Sequence, residues 1–342
     1  MDFTPTEEQA AAQELAARIF GDLATHERLA AAGTGTDAEL WKALCAAGLP
    51  GAVEEIGLLG LVLLAEEQGR TTAQVPFAAS GVFGLLAVAR HGTAEQRERL
   101  LPGLRDGTSV ATGAFPPAGH VRADADGRLT GEVEWVPWLR DATHVLVPDQ
   151  DAALRLVPTS EASVLPVELT APWAAGRLVL DGARGERIGG QGACADVLAM
   201  ARIVFAGLQA GVCAGSLARA VAYTSVREQF GRPLSTHQAV QLRAADAHMD
   251  TEAIRVTAYE AAWRHDEGLP AVEHALTAAW WASEAGKRVV HAGQHLHGGM
   301  GADLDHPVHR HFLWGRQLDA YLGCGTELLA ELGDLIANGE HR

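Results

Sequence analysis

The order of hydrophobic patterns along this 342-residue chain is the feature that most limits its possible folds. The first part reads as helices, with Thr6 as the cap of a run from Glu7 to Phe20. Short β-rich runs such as Thr143–Val147 then alternate with Gly, Pro and Asp turns. Long helical patterns follow. The sequence therefore predicts an N-terminal helical domain over residues 1–108, a middle antiparallel β domain over 109–192 and a C-terminal helical bundle over 193–342.

Each predicted domain has recognisable elements. The N-terminal domain has helical runs at Asp37–Ala47, Glu54–Arg70, Pro76–Arg90 and Ala94–Leu101, the last capped by Thr93 and ending near Pro102–Gly103. In the middle domain, Asp124–Gly127 predicts a hairpin turn. Four long patterns predict a C-terminal four-helix bundle: Val197–Glu228, Thr236–Asp266, Pro270–Gly293 and Arg310–Leu335.

Composition and charge exclude several classes of function. The chain has 27 Lys and Arg residues against 43 Asp and Glu residues, which gives a formal net charge of −16. This balance disfavours nucleic acids and anionic membranes as partners, and no apolar run reaches the ~18 residues of a membrane span. The 4 cysteines are far apart, which indicates reduced thiols. The acidic start, Met1–Glu8, is unlike a signal peptide. We therefore expect a soluble, cytoplasmic protein.

A polar stretch between two long helical patterns, Arg227–Gln238, is the first candidate functional segment. It combines two guanidinium groups, an aromatic ring, a turn-forming Gly and Pro, and amide and imidazole donors. That chemistry suits a phosphate-bearing ligand at a helix junction. Taken alone, the stretch fits an ordinary polar helix connection equally well.

A second stretch, Gln294–Gly301, makes the interpretation specific. It contains Gln-x-x-x-Gly-Gly-x-Gly, and the first stretch contains Arg-x-x-Phe-Gly-x-x-Leu-x-x-x-Gln. These two motifs, with Gly92–Gln96 and Leu100–Leu104, resemble the acyl-CoA dehydrogenase family over nearly the whole chain. The resemblance implies a mainly α fold with a small β domain: an N-terminal helical domain, a middle antiparallel β domain and a C-terminal four-helix bundle.

The resemblance also implies FAD as the cofactor, held at a subunit interface, with both motifs contacting the flavin nucleotide of the neighbouring subunit. Arg227 then supplies a fixed cation for the pyrophosphate, and Phe230 offers an apolar face. Gly298 and Gly299 allow a close backbone approach because they have no Cβ. The predicted cofactor-binding residues are Arg227, Gln229, Phe230, Leu234, Gln238, Gln294, Leu296, His297, Gly298 and Gly299.

The catalytic base of the family has no counterpart here. The family reaction removes the α-proton of a CoA thioester while the β-hydride passes to the flavin, so a carboxylate must lie over that proton. In most members a Glu precedes Gly-Thr near the C-terminus, whereas this chain has Cys324 there, or Leu322 when aligned without a gap from Arg310. In other members the base lies on the helix that leads into the Arg-x-x-Phe motif, where this chain has Ala201. No catalytic residue is therefore assigned.

The middle domain departs from the family in the same direction. The family loop that covers the flavin of its own subunit reads Thr/Ser-Glu-Pro-x-x-Gly-Ser-Asp, whereas residues 111–119 read Ala-Thr-Gly-Ala-Phe-Pro-Pro-Ala-Gly. The family motif Trp-Ile-Thr becomes Trp135-Val136-Pro137, and proline supplies neither a hydroxyl nor an N–H. Elements for the chain's own flavin are lost, while those for a partner's flavin are kept.

These departures predict the non-catalytic subunit of a heteromeric acyl-CoA dehydrogenase, resembling the α2β2 enzymes that oxidise steroid side-chain CoA thioesters in bacteria. The shortened region Gly48–Gly60 suits a bulky acyl chain. The expected partners are a homologous catalytic subunit, an acyl-CoA substrate and an electron-transfer flavoprotein. Two alternatives stay open. One is a flavin-dependent monooxygenase on the same fold, which needs no α-proton base, and the other is a structural partner that binds no flavin.

The C-terminal histidines do not predict a metal site. No spacing places two of them on one helical face with a matching carboxylate. His295 and His297 are instead expected to form hydrogen bonds near the nucleotide or at the subunit interface. The histidines in question are His291, His295, His297, His306, His309 and His311.

Overall fold

A computed structural model describes residues 2–115 and 120–338 of the chain. It confirms the predicted fold class, mainly α with a small β region between helical parts. The chain divides into two compact units. One contains the residues up to Gln13, Val62–Ala73 and the chain from Arg202 onward, and the other contains Glu14–Leu61 and Gln74–Ala201. The division into three sequential domains stays a prediction.

The N-terminal part is helical, as predicted. Its elements are α1 (Glu7–Leu23), α2 (His26–Ala31), α3 (Ala38–Ala46), α4 (Leu49–Thr71), α5 (Phe77–Ala79), a π-helix (Ser80–Leu86), α6 (Ala87–His91) and α7 (Ala94–Asp106). Thr93 caps α7 through a reciprocal capping box with Gln96. Helix α7 continues through Pro102 and ends at Gly107, whose φ of 75° is left-handed, so the predicted end near Pro102–Gly103 is wrong. Helix α4 is kinked at Gly57 (φ 73°).

The middle part forms two four-stranded sheets. The strands are β1 (Ala111–Gly113), β2 (Val121–Ala123), β3 (Arg128–Val136), β4 (His144–Pro148), β5 (Leu154–Pro158), β6 (Ser163–Pro166), β7 (Gly176–Arg184) and β8 (Glu186–Ile188). Their orders are β1-β4-β5-β8 and β2-β3-β7-β6. The hairpin turn at Asp124–Gly127 is confirmed between β2 and β3. The pair β1–β4 is parallel, which corrects the wholly antiparallel prediction. The intervening β2 and β3 belong to the other sheet, so the chain returns to this one by a crossover.

The C-terminal part contains α8 (Ala193–Val226), β9 (Glu228–Gln229), β10 (Arg232–Pro233), α9 (Gln238–Asp266), α10 (Val272–Leu296), α11 (Val308–Asp319) and α12 (Gly325–Ala337). Helix α10 packs against α9, α11 and α12. The predicted single run Arg310–Leu335 is two helices. The break contains Leu322 (φ 63°) and Gly323 (φ 111°), and left-handed residues end a helix.

Helix α8 is long and apolar enough to cross a membrane by length and composition, but 89% of its apolar window is buried inside the protein. A core helix passes the same test. Its glycines explain the close packing, since a Cβ on Gly211 or Gly215 would overlap the carbonyl oxygens of Glu66 and Arg70 on α4. The backbones of α8 and this part of α4 therefore meet directly.

A buried carboxylate joins α4 to α9. Glu66 has a side-chain exposure of only 2%, and its Oε1 accepts hydrogen bonds from Arg255 (2.7 Å) and Arg70 (3.0 Å). Its Oε2 accepts one from the hydroxyl of Tyr259 (2.7 Å), and burial raises the pKa of that phenol. Removal of one member of such a buried network costs ~3–5 kcal/mol, so this contact holds the second half of α9 firmly against α4.

Candidate functional site

The Arg227 hairpin (Arg227–Gln238) connects α8 to α9 through a strained turn. Strands β9 and β10 pair antiparallel, with Gln229 opposite Arg232, and Phe230 and Gly231 form the turn between them at φ 57° and 76°. A two-residue hairpin with two positive φ angles matches the right-handed twist of its strands. Glycine adopts this conformation freely, but for a residue such as Phe230 it costs ~1–2 kcal/mol.

Several side chains of the Arg227 hairpin, and that of Val226 directly before it, are exposed to solvent. Phe230 is 91% exposed and Val226 is 77% exposed. Arg227 is also exposed, and its guanidinium has no hydrogen-bond or ion-pair partner within residues 2–115 and 120–338. A hairpin that exposes a cation without a partner among the described residues, and an aromatic ring on a strained turn, is typical of a binding surface.

The hairpin leads directly into the N-terminus of α9. A 3-10 turn at Leu234–Thr236 follows Pro233. The next residue, His237, occupies the N-cap position of α9 and makes no side-chain cap hydrogen bond. Its Nδ1 lies 3.2 Å from Nη2 of Arg232. Gln238 is exposed in the first helical turn. The free backbone N–H groups of a helix start favour an anion here.

The glycine turn (Gly298–Ala302) follows the C-terminus of α10. A Cβ on Gly301 would overlap the carbonyl oxygen of Gln294, so the turn folds back closely on the helix end. In contrast, nothing lies within 4 Å of the Cβ positions of Gly298 and Gly299. These two residues therefore expose their backbone to an approaching ligand, as the motif predicts.

The structure brings the two motifs together through aromatic contacts. Tyr223, one helical turn before Arg227, stacks on His297 with ring centroids 4.8 Å apart and planes at 22°. The hydroxyl of Tyr223 lies 3.7 Å from the sulfur of Met300 in the glycine turn. The last turn of α8 thus packs on the segment that follows α10, and the two motifs form one surface of the same unit.

The predicted cofactor-binding residues fall into three groups by exposure. Arg227, Gln229, Phe230, Gln238, Gly298 and Gly299 are exposed, Leu234 and Gln294 are half-buried, and Leu296 and His297 are buried. The exposures of Leu296 and His297 are 7% and 3%. Both side chains therefore contact their own subunit, whereas the exposed group is available to a partner.

At Ala201, the base position on α8, the structure has a neighbouring ion pair instead of a free carboxylate. Ala201 is fully buried. The neighbouring Arg202 donates through Nη1 and Nη2 to both carboxylate oxygens of Glu331 (2.8 and 2.6 Å) and lies 3.4 Å from the carbonyl oxygen of Leu322. This bidentate pair joins α8 to α12. Nearby, Tyr321 packs edge-on against Phe205 with centroids 4.8 Å apart.

The carboxylates closest in sequence to the other base position, at Leu322 or Cys324, have structural roles. Glu327 accepts a hydrogen bond from the backbone N–H of Cys324 (2.9 Å), which lowers the pKa of its carboxyl and caps α12. Asp319 accepts from the hydroxyl of Ser283 and lies 3.2 Å from Arg316. Neither is placed as a free base.

In the middle part, the covering segment (Ala111–Phe115) is bonded to its own unit. The hydroxyl of Thr112 donates to the carbonyl oxygen of Pro137 (2.7 Å), and Thr112 is fully buried. The ring of Phe83 fills the space beside Gly113 and lies 5.4 Å from that of Phe115. The rest of the predicted loop, residues 116–119, lies outside the described residues.

Ion pairs neutralise part of the charge that lines a large open groove elsewhere in the structure. It has a volume of about 650 Å³ and lies between α9, α10 and α11. Arg288 on its wall pairs with Asp250 (2.7 Å), and Lys287 pairs with Glu284 (2.6 Å). Over the described parts of the chain, no three His, Cys, Asp or Glu side chains converge on a possible metal position.

Comparison with known proteins decides the family. A profile of the acyl-CoA dehydrogenase N-terminal domain matches residues 6–108, and one of the C-terminal domain matches residues 189–331. The acyl-CoA dehydrogenase FadE27 of Mycobacterium tuberculosis is 35% identical over 98% of this chain and 99% of its own length. The chain belongs to the acyl-CoA dehydrogenase family. Membership confirms the predicted fold and supports an oxidoreductase acting on CH–CH bonds with FAD as the cofactor.

Two solved structures are similar to this chain over nearly its full length. A Tcur3481–Tcur3483 steroid ACAD variant has a TM-score of 0.93 and 42% identity, covering 98% of this chain and 99% of that chain. The ChsE4–ChsE5 complex from Mycobacterium tuberculosis has a TM-score of 0.92 and 32% identity, with the same coverage.

The residues present fit FAD at the Arg227 hairpin and the glycine turn, and they do not fit it at the covering segment. The Arg227 hairpin and the glycine turn offer a free guanidinium, a helix N-terminus and open backbone N–H groups, which suit a pyrophosphate. In the covering segment, the Thr112 hydroxyl is already used by Pro137, and Phe83 occupies the space beside Gly113.

Sequence reasoning missed three residues: two lie at this surface and one lies at a base position. Tyr223 was detectable, because it lies four residues before Arg227 and so on the same helical face. Arg202 follows Ala201 directly, but its partner Glu331 is distant in sequence. The third, His306, contacts His297 (5.0 Å between ring centroids) and has no local signal.

Proposed function

We propose that this chain is the non-catalytic subunit of a heteromeric, FAD-dependent acyl-CoA dehydrogenase. The observation that carries the proposal is the state of the two base positions. One is the buried Ala201 beside the Arg202–Glu331 ion pair, and the other lies where Glu327 caps α12. In this arrangement, neither of the two positions supplies a free carboxylate to remove an α-proton.

The role left to this chain is to hold the flavin nucleotide of a homologous catalytic partner. Arg227 binds the pyrophosphate as a fixed cation, and Phe230 covers an apolar face. Gln238 and the backbone N–H groups at Gly298 and Gly299 add neutral donors. Bound FAD supplies the acceptor for the hydride that leaves the β-carbon of the acyl-CoA.

The substrate and partners in the proposal follow from similar proteins. Both similar solved structures carry the names of two proteins, and one is named as a steroid ACAD. We extend this to an α2β2 assembly in the cytoplasm that oxidises a bulky, steroid-type CoA thioester in β-oxidation, with an electron-transfer flavoprotein as the acceptor.

Flavin counting tests the proposal directly. The chain is expressed alone and together with its homologous dehydrogenase partner, and the flavin per chain is measured in each sample. We expect no flavin in the isolated chain, one flavin per pair in the mixture, and thioester oxidation only in the mixture. Full flavin occupancy with CoA-thioester turnover by the isolated chain would overturn the non-catalytic role. A flavin-free mixture would favour a structural partner, and oxygen-dependent hydroxylation would favour a monooxygenase.

A further inference from the structure

The side chain of His297 is used inside its own subunit, although the residue belongs to the glycine motif. It is only 3% exposed, and its Nδ1 lies 2.7 Å from the carbonyl oxygen of Gly293 in the last turn of α10. A backbone carbonyl is an acceptor only, so Nδ1 carries the proton and donates. This bond fixes the orientation of the ring at the point where the helix ends.

Two further rings hold His297 from different parts of the chain. Tyr223 on α8 stacks on it at 4.8 Å, and His306 lies tilted against it at 5.0 Å with an interplanar angle of 59°. His306 follows the glycine turn, and its backbone N–H bonds to the carbonyl oxygen of Asp303. The ring stack (Tyr223, His297 and His306) therefore joins the end of α8 to both ends of the glycine turn.

The ring stack also lies next to both ligand-facing segments. Tyr223 accepts the backbone hydrogen bond of Arg227, and its hydroxyl reaches Met300 within the glycine turn. The first two residues of the turn have no close neighbours at their Cβ positions, because nothing lies within 4 Å of those positions in Gly298 and Gly299. An open glycine pair has high conformational freedom, so its geometry must come from neighbouring contacts.

We infer that His297 is a positioning residue: the Tyr223–His297–His306 ring stack sets the glycine turn relative to Arg227 and so prearranges the surface that receives the partner's flavin. The inference rests on the proposed function for the identity of the ligand, but not for the ordering of the turn. It gives His297 a role through its ring and its bond to Gly293, in place of the direct nucleotide contact expected from the sequence. Preordered donors bind more tightly because less conformational entropy is lost on binding.

Amide hydrogen exchange in the isolated chain tests the ordering without flavin. We expect His297→Ala to speed exchange over residues 298–306 by about tenfold, since each aromatic contact contributes ~0.5–1.5 kcal/mol. His291→Ala is the control on α10, the helix that His297 caps: His291 is exposed and has one ring contact, to Phe312 at 4.9 Å, whereas His297 is buried and has two. Unchanged exchange over residues 298–306 in His297→Ala would overturn the inference.

Flavin release from the assembled heteromer separates positioning from direct contact. His297→Phe keeps a ring between Tyr223 and His306 but loses the Nδ1 bond to Gly293, so we expect flavin release to stay within about threefold of wild type, whereas His297→Ala speeds it about tenfold. Equal losses in His297→Phe and His297→Ala would show that the stacked ring does not position the turn and would refute the inference. A wild-type heteromer without flavin would sink the proposed function, while the exchange result would still decide the role of His297.

Discussion

The covering segment and the Arg227 hairpin use similar kinds of residue in opposite ways. In the covering segment, the hydroxyl of Thr112 is bonded to Pro137 and the aromatic Phe115 packs on Phe83. In the hairpin, Phe230 is 91% exposed and the guanidinium of Arg227 has no partner among the described residues. The polar and aromatic groups of the covering segment contact their own unit, whereas those of the hairpin are exposed to solvent.

This difference separates stability from binding within one chain. Substitutions in the covering segment and its neighbours are expected to change the free energy of unfolding and leave flavin retention alone. Substitutions in the Arg227 hairpin are expected to do the reverse. Four predictions follow in order of size.

Phe83→Ala is expected to produce the largest effect, on stability. Phe83 is fully buried and fills the space beside Gly113, so its loss leaves a cavity and costs ~3–5 kcal/mol. Urea unfolding of the isolated chain measures this. Phe83→Leu is the control and should cost clearly less. A loss below about 1 kcal/mol would show that the covering segment is not tightly packed, and the comparison would fail.

Acid is expected to act next most strongly, through His311 in the unit that carries the hairpin. Burial lowers the pKa of His311 to about 4, and the Nε2 atom lies 3.0 Å from the carbonyl oxygen of Arg70. The unfolded chain binds a proton below pH ~6.5 and the folded chain does not. The contribution of His311 to the free energy of unfolding is therefore fully present above pH ~6.5. It falls by up to ~1.4 kcal/mol per pH unit towards pH 4.

The variant His311→Gln should flatten this pH dependence, because an amide keeps a donor near Arg70 without titrating. His144, which adjoins β1, serves as the comparison in the other unit, and burial also lowers its pKa. We expect a smaller change for His144→Asn in unfolding curves measured from pH 4 to 7. An equal or larger change would place the acid-sensitive site beside the covering segment instead.

Arg227→Ala is expected to weaken flavin retention by the heteromer by about 2 kcal/mol, since charge-assisted hydrogen bonds contribute ~1.5–3 kcal/mol. The isolated chain should unfold as before, because the side chain is exposed and unpaired within the described residues. Arg232→Ala, in the same hairpin but beside His237, is the control. Fluorescence of released flavin measures the effect. Unchanged release in Arg227→Ala would contradict the role in trans.

Phe230→Asn is expected to have the smallest effects, which are opposite in sign: the isolated chain becomes more stable and the heteromer retains flavin less well. Asparagine tolerates positive φ, so the isolated chain should gain up to ~1 kcal/mol of stability. The heteromer should lose flavin faster, because the exposed ring is gone. Phe230→Tyr, which keeps the ring, should change neither quantity much. A variant that is more stable and retains flavin normally would show that the ring has no ligand to cover.

The sequence predicted most of the fold because its signals are local. The capping pattern of Thr93 and Gln96 predicts the start of α7, and Asp124–Gly127 predicts a hairpin turn. The π-helix at Ser80–Leu86 could not be predicted, since its apolar residues fit an α-helix equally well. The break at Leu322 was missed because leucine rarely adopts a positive φ.

The candidate surface was predictable only in part. Arg227 and the glycine pair belong to gapped motifs that can be read along the chain. Their arrangement depends on His297 and His306, and the closure of one base position depends on Arg202 and Glu331. Such pairs join residues that are distant in sequence, and only the fold shows that they meet.

The exposed tip of the Arg227 hairpin has a consequence for the life of the chain before assembly. An unassembled copy displays Phe230 and Val226 to solvent at 91% and 77% exposure, beside a turn held in a costly conformation. Uncovered apolar side chains of this kind attract chaperones, proteases and other unfolded chains. Under the proposed heteromeric function, excess copies of this chain would keep this apolar surface uncovered, so balanced synthesis of the two chains would limit aggregation.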